Sequence, residues 1–443
     1  MVTRLLVLRS RPLNKWHYDS PIMHRITQLP SGVRVTTAEM PHMESVTVGV
    51  WVGVGGRYEP ARLSGIAHFI EHLLFKGTRR RNARQISQTV EGIGGYLNAF
   101  TGEETTCYYA KASHRHLDTL LDVLTDMVQH PRFAAADIDK ERGVIKEELL
   151  MYRDQPDHYV HELLTETLWP EHPLGRSLTG TPQTLDAMDR RAFLDFKQKK
   201  YVAANTVVAV AGHCEHDDIV KRVQKWLELS RNGRSPQFEP ARTVQRSPRL
   251  RFYTKNCEQS HLAIGIRGYS RHDERRYALK LLSVILGENM SSRLFQVIRE
   301  QHGLAYSVQS STSYFDDTGA VVVSAGLDTK RLQRALKLIL AEMRKISKQP
   351  PSALELQRAK DYAIGQMRLG LESTSNRMMW LGEHLLAYGF IPTPEEIEKR
   401  MAGVTLEGVQ EVASELFRDH RLNVAVVTPS KDERAIRDLS TFS

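Results

Sequence analysis

The sequence predicts an α+β protein of two homologous domains, each a mixed β-sheet with helices packed mainly on one face. Three observations carry that expectation. Residues 229–248 are rich in Pro, Arg and Ser, end a helical run and precede a new strand at 250–254, so they read as a linker between domains at 1–228 and 249–443. On each side of it the patterns run in the same order: strand, apolar helix, second helix, hairpin, long helix, further helix. At an offset of 210, Phe75-Lys76-Gly77 meets Ile285-Leu286-Gly287. At an offset of 218, Glu148 meets Gln366 and Glu141 meets Ala359.

The first element, residues 1–20, reads as a leader. Residues 1–16 are basic and free of acidic residues, with neither the apolar core nor the small-residue cleavage site of a secretory signal. A loosely packed cytoplasmic leader is expected, with a short organelle-targeting leader as the alternative.

The apolar helix of the first half carries His68-Phe69-Ile70-Glu71-His72. Residues at i and i+4 sit one turn apart on one face, so His68 and His72 can bind one metal ion while Glu71 lies on the same arc. His-x-x-Glu-His is the inverted form of the commoner His-Glu-x-x-His. Two neutral imidazoles hold Zn²⁺ with positions still open, and a neighbouring carboxylate can take a proton from water there. The flanking Ile66, Ala67, Phe69, Ile70, Leu73, Leu74 and Phe75 are apolar. Such a helix is buried almost all round, where three ionisable groups without partners would be costly.

The hairpin comes next: residues 97–112 read as two short strands with a turn at Thr101-Gly102. The polar run 139–149 is helix-compatible and holds Glu141, Glu147 and Glu148. Glu141 and Glu148, two turns apart, share a face, whereas Glu147 points about 100° away. One carboxylate of the pair can bind the metal while the other orients a histidine.

Four segments together, 65–78, 91–112, 141–149 and 291–308, resemble the pitrilysin, insulin-degrading enzyme and mitochondrial processing peptidase family. The resemblance spans about Leu29 to Val427 and implies a processing-peptidase-like metallohydrolase fold. It implies His68, His72 and Glu148 as ligands of one Zn²⁺ per chain, Glu71 as general base and Glu141 as its supporting carboxylate. It implies Asn98, Ala99 and Phe100 on an edge strand to which substrate backbone adds as a further strand, a mode that recognises main chain with loose side-chain specificity. Arg299 and Tyr306 match the family's pair that grips the substrate carbonyl region and stabilises the developing oxyanion. The activity implied is zinc-dependent endopeptidase action on peptides or unfolded segments inside a closed chamber. The alternative is a non-catalytic peptide-binding or scaffold subunit that needs a partner chain.

Family members of this length pair so that four such domains enclose the chamber. The resemblance therefore implies a homodimer, or a close heterodimer, in which Arg299 and Tyr306 complete the partner's site. Two departures narrow it further. Residues 287–294 lack the long glycine-rich loop of the non-catalytic subunits. The mitochondrial enzyme has acids ten and fourteen positions after its zinc-binding glutamate, whereas this chain has His158 and Glu162, so strict arginine-directed processing is not expected.

Composition sets the remaining bounds. The 443 residues, 41% hydrophobic and 26% charged, describe a soluble globular protein with well-developed cores. No apolar run is long enough to cross a bilayer, so no membrane association is expected. Cys107, Cys214 and Cys257 have no metal-site or disulfide spacing, which points to a reducing compartment and a cytoplasmic location. The net charge of +9 is gathered in 76–84, 231–251 and 271–276 without a recognition motif, so nucleic-acid binding is not expected.

Overall fold

The structure is a computed structural model that describes residues 24–229, 235–241 and 244–442. The leader expected at 1–20 and part of the expected linker lie outside the described residues. The first half holds strands β1 (His24–Gln28), β2 (Arg34–Glu39), β3 (Ser45–Val52), β4 (Tyr96–Thr101), β5 (Thr106–Ser113) and β6 (Thr206–Gly212). Its helices are α1 (Ile66–Leu74), α2 (Ala83–Glu91), α3 (Leu117–Gln129), α4 (Ala135–Asp154), α5 (Pro156–Leu168), α6 (Pro182–Ala187), α7 (Arg190–Lys200) and α8 (His216–Trp226). The second half holds β7 (Arg249–Thr254), β8 (Ser260–Gly268), β9 (Ala305–Tyr314), β10 (Gly319–Leu327) and β11 (Asn423–Thr428). Its helices are α9 (Arg276–Gly287), α10 (Leu332–Lys348), α11 (Ala353–Gly370), α12 (Thr374–Tyr388), α13 (Pro394–Ala402), α14 (Leu406–Leu416) and α15 (Glu433–Leu439). A π-helical segment, Phe295–Gln301, precedes β9.

The two sheets repeat one topology. The first runs β1-β2-β6-β3-β5-β4 and the second β7-β11-β8-β10-β9. In each, one parallel pair (β2 with β6, β7 with β11) adjoins antiparallel pairs. The sheets are therefore mixed, and the second matches the first strand for strand apart from β1. The central strands are rich in Val and Ala, which suit a pleated surface buried on both faces.

One face of the first sheet packs with α1, α3 and α8 around Val48, Val50, Phe69, Leu120 and Leu124. The second sheet has its own core with α9, α10 and α14 around Leu262, Ile264, Leu282, Ile339 and Val412. The opposite faces are covered by an exchange of helices. Met378, Leu381 and Leu385 of α12 cover Trp51, Val207 and Ala209 of the first sheet. Reciprocally, Val160, Leu163, Leu164 and Leu168 of α5 cover Ala263, Ala320, Ala425 and Val427 of the second. The 218-residue register relates these helices as well, since Pro156 maps to Thr374.

A buried ion network fastens the same junction. Arg57, whose side chain is wholly buried, reaches Glu104 at 2.7 Å and Asp317 at 2.6 Å, and Arg271 closes on the other oxygen of Glu104. Pairing of this kind is what makes a buried guanidinium tolerable.

The exchange depends on close approach at Gly382. A Cβ placed there would lie 2.0 Å from Nε1 of the buried Trp51. Gly382→Ala is therefore expected to destabilise the protein by about 1–3 kcal/mol through overpacking. Urea denaturation checks it, and adding Trp51→Phe is expected to recover part of the loss.

Candidate metal centre and substrate cleft

Helix α1 buries Ile66, Ala67, Phe69, Ile70, Leu73 and Leu74 and leaves His68, Glu71 and His72 on its remaining arc. Gly65 precedes the helix with φ 95°, and a Cβ there would lie 2.8 Å from the Thr179 carbonyl oxygen, so both conformation and space require glycine. The N–H groups of Gly65 and Ala67 donate to the carboxyl oxygens of Glu59 at 2.7 and 2.8 Å. An acidic group at this end of the helix answers unpaired N–H groups and the positive end of the dipole. Burial pushes the Glu59 carboxyl up to about 8, against the pull of the two N–H groups and Arg176.

Helix α4 meets α1 with Glu141 buried, Glu148 facing the histidines and Glu147 exposed. His68 Nε2 lies 3.8 Å and His72 Nε2 3.6 Å from Glu148 Oε2. Ligand atoms from all three side chains fall within 4.8 Å of one another. Ligands about 2.0–2.2 Å from a tetrahedral ion stand roughly 3.3–3.6 Å apart, close to these separations. A stronger sign lies in the hydrogen bonds. Tyr152 donates to Glu148 Oε1 at 2.8 Å, while Glu148 Oε2, the oxygen facing both imidazoles, is buried with no hydrogen-bond partner. A buried, unpaired carboxylate oxygen between two ring nitrogens is a set of donors that a Zn²⁺ ion satisfies.

The surroundings tune these groups. Burial pushes the His68 imidazole down to about 4, reinforced by neighbouring His72 and opposed by Glu148, and the neutral ring is the metal-binding form. His72 Nδ1 lies 3.3 Å from Glu141 Oε2, and Lys76 Nζ pairs with Glu141 Oε1 at 2.9 Å. That pairing fixes which ring nitrogen of His72 turns toward Glu148. Glu71 Oε2 accepts from Thr101 Oγ1 at 2.6 Å. Burial raises the Glu71 carboxyl pKa, opposed by the Thr101 bond and by His72.

The cluster opens into a cleft of about 520 Å³ lined by α1, α4, the start of α5, residues 175–179 and the end of β4. Strand β4 is an edge of the first sheet. Ala99 and Phe100 line the cleft and Asn98 does not; the Asn98 carboxamide oxygen accepts from the Ala99 N–H at 2.8 Å. His158 and Glu162 line the wall from α5. Arg299 and Tyr306 are neighbours of each other, the guanidinium 5.4 Å from the ring centre, but neither lines this cleft. Tyr306 is 79% exposed.

Sequence reasoning missed Thr101, Tyr152 and Lys76. Tyr152 was within reach of it, because it lies four residues after Glu148 on the same helical face. Thr101 and Lys76 depend on how β4 and the end of α1 meet their neighbours. Several residues of the basic segments are ion-paired: Arg80 and Arg81 bind Asp122 and Asp126, and Arg275 binds Asp273 and Glu415. Among the described residues no helix is long and apolar enough to cross a membrane.

The profile of the insulinase family, Peptidase family M16, matches residues 34–182, and that of the Peptidase M16 inactive domain matches 187–362. An uncharacterized zinc protease of Streptomyces coelicolor is 37% identical over 437 residues, covering 97% of this chain and 95% of its own. Another, from Bacillus subtilis, is 36% identical and covers 90% of this chain and 97% of its own. Among solved structures, a protease from Helicobacter pylori shares the fold with a TM-score of 0.86 at 22% identity, covering 93% of this chain and 100% of that one. The chain belongs to Peptidase family M16. The second profile begins at 187 although β6 and α8 complete the first sheet and its core, so the profile boundary falls inside the first structural half.

Glu141→Gln removes the charge behind His72 while keeping its shape. Zinc affinity is expected to fall about 10- to 100-fold, measured by competition with a chromophoric chelator.

Proposed function

We propose that the chain is a zinc-dependent endopeptidase acting on peptides or unfolded segments laid as an added strand along β4. The observation that carries this reading is the placement of Glu71 and the His68–His72–Glu148 cluster at the end of an edge strand, in one cleft. Zn²⁺ bound by those three residues supplies Lewis acidity, polarising a carbonyl and acidifying a water.

The chain's own groups do the rest. Glu71, held by Thr101 at the β4 end, receives the proton of the attacking water and returns it to the leaving amine. Its raised pKa suits a group that must both take and give. Glu141 and Tyr152 hold His72 and Glu148 in their binding orientations. Strand β4 offers main-chain groups to an extended substrate, which favours unfolded segments over folded proteins.

Arg299 and Tyr306 stand apart from the cleft of their own chain. This supports a homodimer, or a close heterodimer, in which each chain lends the pair to its partner's oxyanion. Its members enclose the chamber between them. One zinc per chain and a cytoplasmic setting complete the reading.

Cleavage of an unfolded peptide pool, read by mass spectrometry, tests it. Activity is expected to vanish on metal stripping, to return with zinc and to be absent in Glu71→Gln. Mixing inactive Glu71→Gln and Tyr306→Phe chains is expected to restore part of it. Cleavage retained by Glu71→Gln overturns the reading, and no restoration despite proven subunit exchange overturns the shared site.

A further inference from the structure

The duplicated fold carries a second cleft of about 620 Å³ among α9, α11, α12 and α13. Its position follows from the duplication. Glu148, Tyr152, His158, His161, Glu162 and Thr165 line the metal cleft. The residues 218 positions further on, Gln366, Gly370, Asn376, Met379, Trp380 and Glu383, line the second. On the leading helix, Tyr277 and Lys280 face inward with the three-residue spacing of His68 and Glu71. The 210-residue register set Ala278, Leu281 and Leu282 opposite the metal motif; these are core residues, and the lining falls one position earlier.

The metal chemistry is gone, with a carboxamide, Gln366, in the place of Glu148. A different set of groups has replaced it. Tyr277, Tyr314, Tyr362 and Trp380 supply rings, and Met367 and Met379 supply adaptable apolar surface. Glu288 Oε2 pairs with Lys280 Nζ at 2.6 Å, but Oε1 is buried with no hydrogen-bond partner. Glu383 lies on the wall with the charge of Arg271 near it. Of the other charged groups facing the cleft, Arg276 already donates to the hydroxyls of Tyr277 and Tyr388 and to the Arg271 carbonyl. His384 stacks on Trp380 with ring centres 4.2 Å apart, and burial keeps its imidazole neutral.

An unpaired carboxylate oxygen beside several aromatic faces is the composition that accepts a cation. A lysine or arginine side chain fits it with both parts: its methylene stem lies on methionine and ring surface while its head meets carboxylate and π-face. We propose that this second cleft is a non-catalytic docking site for a lysine or arginine side chain of an extended polypeptide, with Glu288 accepting from its cationic head. The proposal rests on the peptide-binding reading of the first cleft, and the duplication explains why one chain would carry two peptide-sized clefts of the same architecture.

The test uses the full-length Glu71→Gln chain, so that binding is read without cleavage. The probe is a fluorescein-labelled decapeptide with one central lysine among Gly, Ser and Leu, compared with its norleucine twin by anisotropy. The lysine peptide is expected to bind about tenfold more tightly, a gain typical of one hydrogen bond to a charged group, and Glu288→Gln is expected to abolish the difference. Glu383→Gln, a second variant that breaks no buried ion pair, is expected to narrow it. A photo-leucine beside the lysine is expected to crosslink to α11 or α12. Equal binding of the two peptides, an undiminished difference in Glu288→Gln, or crosslinks confined to α1, β4 and α4 each overturn the proposal. If lysine-dependent docking is found but native protein does not cleave the peptide, the peptidase reading fails and the docking site stands.

Discussion

The reciprocal exchange of α5 and α12 is the constraint on which the rest of the structure depends. A sheet of Val- and Ala-rich strands is apolar on both faces, and the main core of each half covers only one of them. Each half lends the other a helix instead, so that neither can bury its sheet alone. Because α5 follows α4 after a single residue, Gln155, the helix that closes the second sheet also forms a wall of the first cleft. The relative placement of the halves and the shape of the site are thereby tied together, and the Arg57–Glu104–Asp317 network locks the same seam.

Within that frame the site is an exercise in placing charge where water is scarce. Three ionisable groups on one arc of a buried helix are held by partners from two other elements: Glu141 and Glu148 from α4, with Tyr152 of the same helix behind Glu148, and Thr101 from β4. Almost every polar atom there has an answering group. Among the exceptions are His68 Nδ1 and Glu148 Oε2, and the latter, facing both imidazoles, suits the cluster to a cation. In the second half the same pair of helix positions has been relieved of that burden and lined with rings and methionines. Duplication thus preserved the architecture while the chemistry diverged.

Much of this was legible in the sequence because it was carried by period and spacing. The i, i+4 histidines, the two-turn interval between Glu141 and Glu148 and the repeated element order each follow from helix geometry, and the two mixed sheets follow from the repeat. The helix exchange was not legible. An apolar face on α5 or α12 shows that something must be covered, not which sheet it covers. Thr101 and Lys76 were equally hidden, since their value lies in the angle at which β4 and α1 meet the rest. The 210-residue register was off by one at α9, because the connections around that helix differ in length between the halves and lining can be read only from the folded chain.

The central claim is that His68, His72 and Glu148 hold one zinc ion. Anomalous diffraction collected at the zinc edge from crystals of the zinc-loaded protein tests it most directly. The account predicts one strong peak per chain, within about 2.3 Å of His68 Nε2, His72 Nε2 and a Glu148 oxygen. A zinc-loaded crystal with no peak there, or with its only peak on other side chains, would contradict it.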